Sequence, residues 1–102
     1  GEDFSSGTQQ PEFSAADEVI KSFGATINPN PVSQYFVANV TSADNNTPVM
    51  MRVLSAAGRM VATQKLVANS QQRIQSDRWQ QGVYFVEFTQ GRERTVIKVV
   101  KL

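Results

Sequence analysis

A chain of 102 residues with neither cysteine nor histidine makes at most one domain and excludes several chemistries at once. Disulfide frameworks, thiolate sites, zinc sites of the usual kinds, His-based triads and imidazole pH switches all drop out. The formal charge of +1 hides an asymmetry: residues 1–20 hold five acids and no base, giving −5, while residues 21–102 hold ten bases and four acids, giving +6.

Residues 1–16 are rich in Ser, Gly, Thr, Gln and Glu, with Phe4 and Phe13 the only large apolar side chains. They bury too little surface to offset the ordering of their backbone and read as a linker. A weak helical pattern follows over 15–22, with a strand as the competing reading. We therefore divide the chain into an acidic flexible linker, 1–22, and a folded domain, 23–102.

From Phe23 the period becomes two. Ala25 and Ile27 lead into Asn28-Pro29-Asn30-Pro31, where two prolines remove two backbone donors and predict a stiff corner outside any ladder. Residues 35–40 alternate with Phe36, Ala38 and Val40 on one side, and a polar turn spans 42–48. Residues 49–54 alternate again, with Val49, Met51 and Val53 inward and Arg52 wet. Ala56-Ala57-Gly58 is a three-residue connection with Gly where left-handed geometry is wanted. The return strand over 59–66 takes Val61 as its core anchor. After a turn at 68–70, residues 72–76 form a short polar strand with Ile74 as its one apolar knob. Asp77 suits the start of a helical turn through Gln81, with Trp79 plugging an end of the core.

Gly82-Val83-Tyr84-Phe85-Val86-Glu87-Phe88 is the densest β-branched and aromatic run and predicts a central strand. Tyr84, Val86 and Phe88 face inward, because Glu87 is costly to bury without a partner. Gln90-Gly91 makes a tight hairpin into a last strand, 94–102, with Ile97 and Val99 inward and Lys98 and Val100 outward. Short strands at roughly ten-residue spacing, with turn signals between, predict an all-β fold: an immunoglobulin-like antiparallel β-sandwich of about seven strands.

No catalytic constellation is visible. Asp44, Asp77, Glu87 and Glu93 stand singly, Glu87 reads as a solvated strand residue, and no histidine can serve the many hydroxyls as a base. Tyr84 reads as a core tyrosine whose hydroxyl bonds backbone, and Trp79 as a plug in preference to a sugar-stacking platform. No metal, cofactor or catalytic residue is expected, and the protein reads as a non-enzyme. The +6 of residues 21–102 is plainest as solvated surface, with a basic face for an anionic partner as the sharper reading. The cations lie singly, without the stripe that follows a phosphate backbone, so nucleic acid is not expected. No apolar run approaches the roughly 20 residues of a spanning helix, and no basic-then-apolar leader opens the sequence. Any export signal is expected on a larger parent.

Four motifs in order say more than any one of them: Ile27-Asn28-Pro29-Asn30-Pro31; Val53-Leu54-Ser55-Ala56-Ala57-Gly58-Arg59-Met60-Val61; Gln81-Gly82-Val83-Tyr84-Phe85-Val86-Glu87-Phe88; and Thr95-Val96-Ile97-Lys98-Val99-Val100-Lys101-Leu102. Over residues 26–102 the chain resembles the C-terminal sorting domain of the type IX (Por) secretion system of Bacteroidetes. It departs from the usual pattern at Ser55, where Asp or Asn is common, and at Trp79, where Leu is common.

The resemblance implies a secretion signal on an upstream cargo domain, recognised by type IX translocation and shuttle proteins in the periplasm on the way to the outer membrane and cell surface. It also implies a sortase that cuts within the 1–22 linker and transfers the cargo to anionic lipopolysaccharide. On this reading Lys98, Val99, Val100, Lys101 and Leu102 are the recognition residues, and Pro29, Asn30, Pro31, Gly58, Arg59, Gly82 and Tyr84 are structural motif residues. An immunoglobulin- or fibronectin-like accessory module for carbohydrate or protein is the competing function, and a spacer domain a third.

Overall fold

A computed structural model describes residues 22–102. The expected linker and weak helical pattern, all but Ser22, lie outside the described residues. Within them are seven strands and no helix: β1 Gly24–Asn28, β2 Tyr35–Thr41, β3 Val49–Ser55, β4 Met60–Leu66, β5 Gln71–Gln75, β6 Gly82–Gln90 and β7 Glu93–Lys101. They form two antiparallel sheets, a three-stranded one ordered β1-β2-β5 and a four-stranded one ordered β4-β3-β6-β7. The fold is the expected all-β sandwich, with β6 an interior strand.

The core is the sum of inward rows set by the two-residue period. Phe36, Ala38 and Val40 come from β2, Val49, Met51 and Val53 from β3, and Tyr84, Val86 and Phe88 from β6; all are buried. Ile27, Leu66, Ile74 and Val99 complete the cluster from the flanking strands.

Three sequence expectations fail here, each for a physical reason. Val61 does not anchor β4. A bulge shifts the register between Val53 and Leu54, pairing Val53 with Ala62 and Leu54 with Met60. Val61 is the extra residue and is exposed, while Leu66 is the buried anchor. Asp77 does not open a helical turn. The chain instead makes a β-turn closed by Trp79 N–H donating to the Ser76 carbonyl at 3.1 Å. Glu87 is not solvated. It stands on the outer face of β6, yet its side chain is only 11% exposed, because Arg94 Nε and Arg52 Nη1 lie 2.5 and 3.4 Å from its oxygens. Arg52 is its direct cross-strand neighbour and Arg94 its diagonal one, the two positions from which long side chains reach.

Register also defines two poles. At the first, Gly24 lies opposite Thr41, and the 42–48 loop, Asn69 and the Gly91-Arg92 hairpin gather round it. A polar knot closes this end. The buried Gln90 carboxamide accepts from Ser42 Oγ at 2.5 Å and donates to the Asp44 and Thr47 carbonyls at 3.0 and 2.6 Å. Asn69 donates to the Ser42 carbonyl at 2.8 Å and accepts from the Ser42 amide at 3.0 Å. Asp44 accepts from the Asn46 and Thr47 amides and from the Thr47 hydroxyl. The second pole carries the ends of β1, β3 and β7 and the starts of β2, β4 and β6.

Two outcomes are expected in urea denaturation. Leu66→Ala should cost about 2–4 kcal/mol and Val61→Ala less than about 0.5 kcal/mol, the reverse of the order expected from sequence. The Asp44 carboxyl is held below its ordinary 3.8, first by the Thr47 hydroxyl and then by the two amides. A carboxyl lowered in the folded state adds stability that is present above its unfolded value and lost as pH falls through the folded one. Asp44→Asn should therefore be less stable than the parent at neutral pH, with the gap closing as pH drops below about 4.

Candidate functional site

All the motif residues named from sequence lie at the second pole. Gly82 pairs with Lys101 and Tyr84 with Val99 on one side, and Tyr84 with Ser55 on the other. The proline corner reaches the same end through a parallel bridge between Val32 and Lys101.

Residues 29–31 themselves stay outside the ladders, as expected, and the bridge begins at the next residue. The prolines supply no donor, but Val32 N–H donates to the Val100 carbonyl at 2.8 Å and Leu102 N–H to the Val32 carbonyl at 3.0 Å. Between the prolines, the Asn30 side chain imitates a peptide group. Its Nδ2 donates to the Lys98 carbonyl at 2.9 Å, and its Oδ1 accepts from the Val100 amide at 3.2 Å. An amide side chain is the economical choice where the flanking backbone cannot donate. The outward backbone groups of the last strand are thus occupied from the Lys98 carbonyl to the Leu102 amide. Farther back, Arg94 and Val96 continue the outward set along the edge of β7.

The five expected recognition residues divide accordingly. Val99 is fully buried in the core and Lys101 is buried, its Nζ donating to the Leu102 carbonyl at 3.2 Å. Val100 is half-buried. Lys98 is exposed on the outer face opposite Phe85, and Leu102 is 65% exposed. Side-chain access in the folded domain is therefore through Lys98 and Leu102.

Across the pole, Ser55 N–H donates to the Arg59 carbonyl and Gly58 N–H to the Ser55 carbonyl, closing the three-residue loop. Gly58 has φ +83°, a conformation that disfavours any side chain. Ser55 suits its position because its Oγ accepts from the Arg59 amide at 3.2 Å. Gly82, at φ +148°, lets the chain leave the 76–81 segment for β6. Tyr84 donates its hydroxyl to the Gln80 carbonyl at 2.6 Å, as its reading as a core tyrosine requires. Trp79 packs edge-on to Phe36 at 5.6 Å and tilted on Tyr84 at 4.9 Å. Packing on two core rings fits a plug better than a sugar platform.

Between the 55–61 hairpin and the 78–80 turn lies an open groove of about 520 Å³, lined among others by Arg59, Met60, Val61, Arg78, Trp79 and Tyr84. Sequence reading placed these residues singly and did not assemble them. The missed signal was the bulge, which places Val61 on the groove. It also missed Gln90, although the parity of Tyr84, Val86 and Phe88 carries on to that residue and demands partners for a buried amide.

Among the described residues no group of three or more His, Cys, Asp or Glu is placed to hold a metal ion, and no helix is long and apolar enough to cross a membrane. What the pole offers is surface: an anchored edge, two exposed side chains beside it, and a groove. The chain belongs to the secretion system C-terminal sorting domain family, which it matches over residues 26–102. This makes it a type IX sorting signal, and that family is not an enzyme family. No curated protein matches the chain.

Asn30→Ala should expose the Val100 amide to hydrogen exchange while the Val99 amide, on the β6 side of the strand, stays protected. Loss of the paired bonds should cost about 1–2 kcal/mol. Equal protection of Val100 in both proteins would refute the role given to Asn30.

Proposed function

We propose that the domain delivers an upstream cargo to the type IX outer-membrane translocation machinery, which reads it at the pole bearing Lys98 and Leu102. Polarity is the observation that carries this reading. The preceding chain joins β1 at Gly24, on the first pole, while the proline corner, Gly58, Arg59, Gly82, Tyr84 and the last five residues lie at or near the second. A nine-residue strand separates the poles by about 30 Å at roughly 3.3 Å per residue, so cargo and receptor occupy opposite ends without competing for space. Shuttle proteins receive the domain in the periplasm, and its destination is the outer membrane and cell surface. A surface sortase then cuts within 1–22, where an acidic Ser- and Gly-rich segment suits a protease that takes extended substrate, and joins the cargo to anionic lipopolysaccharide.

The test places the whole 102-residue chain behind a periplasmic reporter in a type IX–competent host. Surface display is expected for the parent sequence. Lys98→Glu combined with Leu102→Asp should lower it about tenfold, as loss of a contact hot spot would, with thermal unfolding unchanged. Deleting residues 99–102 is a poorer probe, since it removes the buried Val99 and confounds recognition with folding. Undiminished display of the double variant would remove these two side chains from the recognition surface.

A further inference from the structure

We propose that the groove between the 55–61 hairpin and the 78–80 turn binds an acidic, apolar-containing segment of a partner protein. The inference rests on the sorting reading for who the partner is, a component of the translocation machinery, but not for the chemistry of the groove.

Charge comes first. Arg59 and Arg78 both line the groove and no carboxylate does. Among the described residues both ion pairs go to Glu87, which engages Arg52 and Arg94 on the outer face of the four-stranded sheet. Neither groove guanidinium takes part in those pairs, so both can meet an incoming anion, and each presents a planar fork of donors suited to a carboxylate. Shape and polarity come second. Met60 and Val61 are 52% and 42% exposed and stand side by side at the lip, which gives the groove an apolar edge. The β4 bulge is the cause for Val61, since an extra residue re-aims a side chain that regular pairing would have placed otherwise.

The opposite wall is rigid. Trp79 packs on Phe36 and Tyr84, and the Tyr84 hydroxyl ties the turn to β6. A prepared wall reduces the ordering cost of binding. Two forked cations beside an aliphatic lip match a peptide that alternates carboxylates with apolar residues. An anionic glycan would use the arginines and leave Met60 and Val61 without partners.

The experiment is a nitrogen-15 correlation titration of the full chain with an amidated peptide, Asp-Leu-Asp-Phe-Glu-Leu, its Asn/Gln counterpart, and a heparin oligosaccharide. Salt-sensitive shifts from the acidic peptide, confined to residues 57–61 and 78–84, are expected. Arg59→Glu with Arg78→Glu should weaken binding at least about tenfold, whereas Lys65→Glu, a charge reversal on β4 outside the groove lining, should leave it unchanged. Equal shifts with the Asn/Gln peptide, tighter binding of heparin at the same residues, or no shifts would each overturn the proposal. In the export assay, display of the Arg59→Glu/Arg78→Glu reporter at the parent level overturns the groove's part in sorting and leaves the sorting reading standing. Failure of the parent itself to reach the surface overturns the sorting reading, and the titration then decides the groove alone.

Discussion

One strand ties both ends of the molecule to a single row of side chains. The inward row of β6 begins at Tyr84 and ends at Gln90, and between them Val86 and Phe88 are wholly apolar and buried. Each terminal member carries one polar group past the core. The Tyr84 hydroxyl holds the Gln80 carbonyl, and the Gln90 carboxamide holds Ser42 and the Asp44 and Thr47 carbonyls. Both are polar groups at the margin of a dry core, where an unmade hydrogen bond costs about 1–3 kcal/mol. The loops they capture are therefore held in place by the same parity that builds the core. A one-residue slip of β6 would turn the whole row outward and release both poles together.

Much of this was readable from the residues because two-residue alternation is a local signal. Phe36-Val37-Ala38-Asn39-Val40 and Val49-Met50-Met51-Arg52-Val53 state which face is dry without any knowledge of their partners. The failures share a cause of the opposite kind. Val61 looks like an anchor until its partner strand is known, because only the cross-strand count reveals the extra residue. Glu87 looks solvated until β3 and β7 bring Arg52 and Arg94 beside it. Asn30 looks like part of a turn until its amide meets a strand about seventy residues away. Pairing of distant segments has no signature in a local window, and the candidate site is built almost entirely from such pairings. The motif residues were legible one by one, and the groove they share was not.

On the proposed reading, the arrangement also separates stability from recognition along the strand axis. The first pole is closed by the buried Gln90 amide, the half-buried Asn69 and a carboxylate-centred turn, so the end that carries the upstream chain is reinforced by polar contacts. The second pole keeps exposed apolar and cationic side chains around an anchored edge. Gly58, Gly82 and the Ser55 hydroxyl serve its backbone geometry, while Arg59, Arg78, Lys98 and Leu102 point outward from it. Residues of the first sort position those of the second, which is why neither set explains the pole alone.

The strap formed by Asn30 and Val32 limits how the last strand can be read. A partner that added its own strand beside Lys98, Val100 and Leu102 would have to displace four hydrogen bonds before forming its own. At about 0.5–1.5 kcal/mol each, the bonds lost and gained nearly cancel, so such an exchange offers little net affinity. Binding through Lys98, Leu102 and the groove requires no displacement, because those groups already face solvent. Arg94 and Val96 lie beyond the strap, but Arg94 is engaged by Glu87, which draws that side chain over the sheet face and away from a docking role. Side-chain recognition at the second pole is therefore the mode the fold favours over strand addition at its terminal edge.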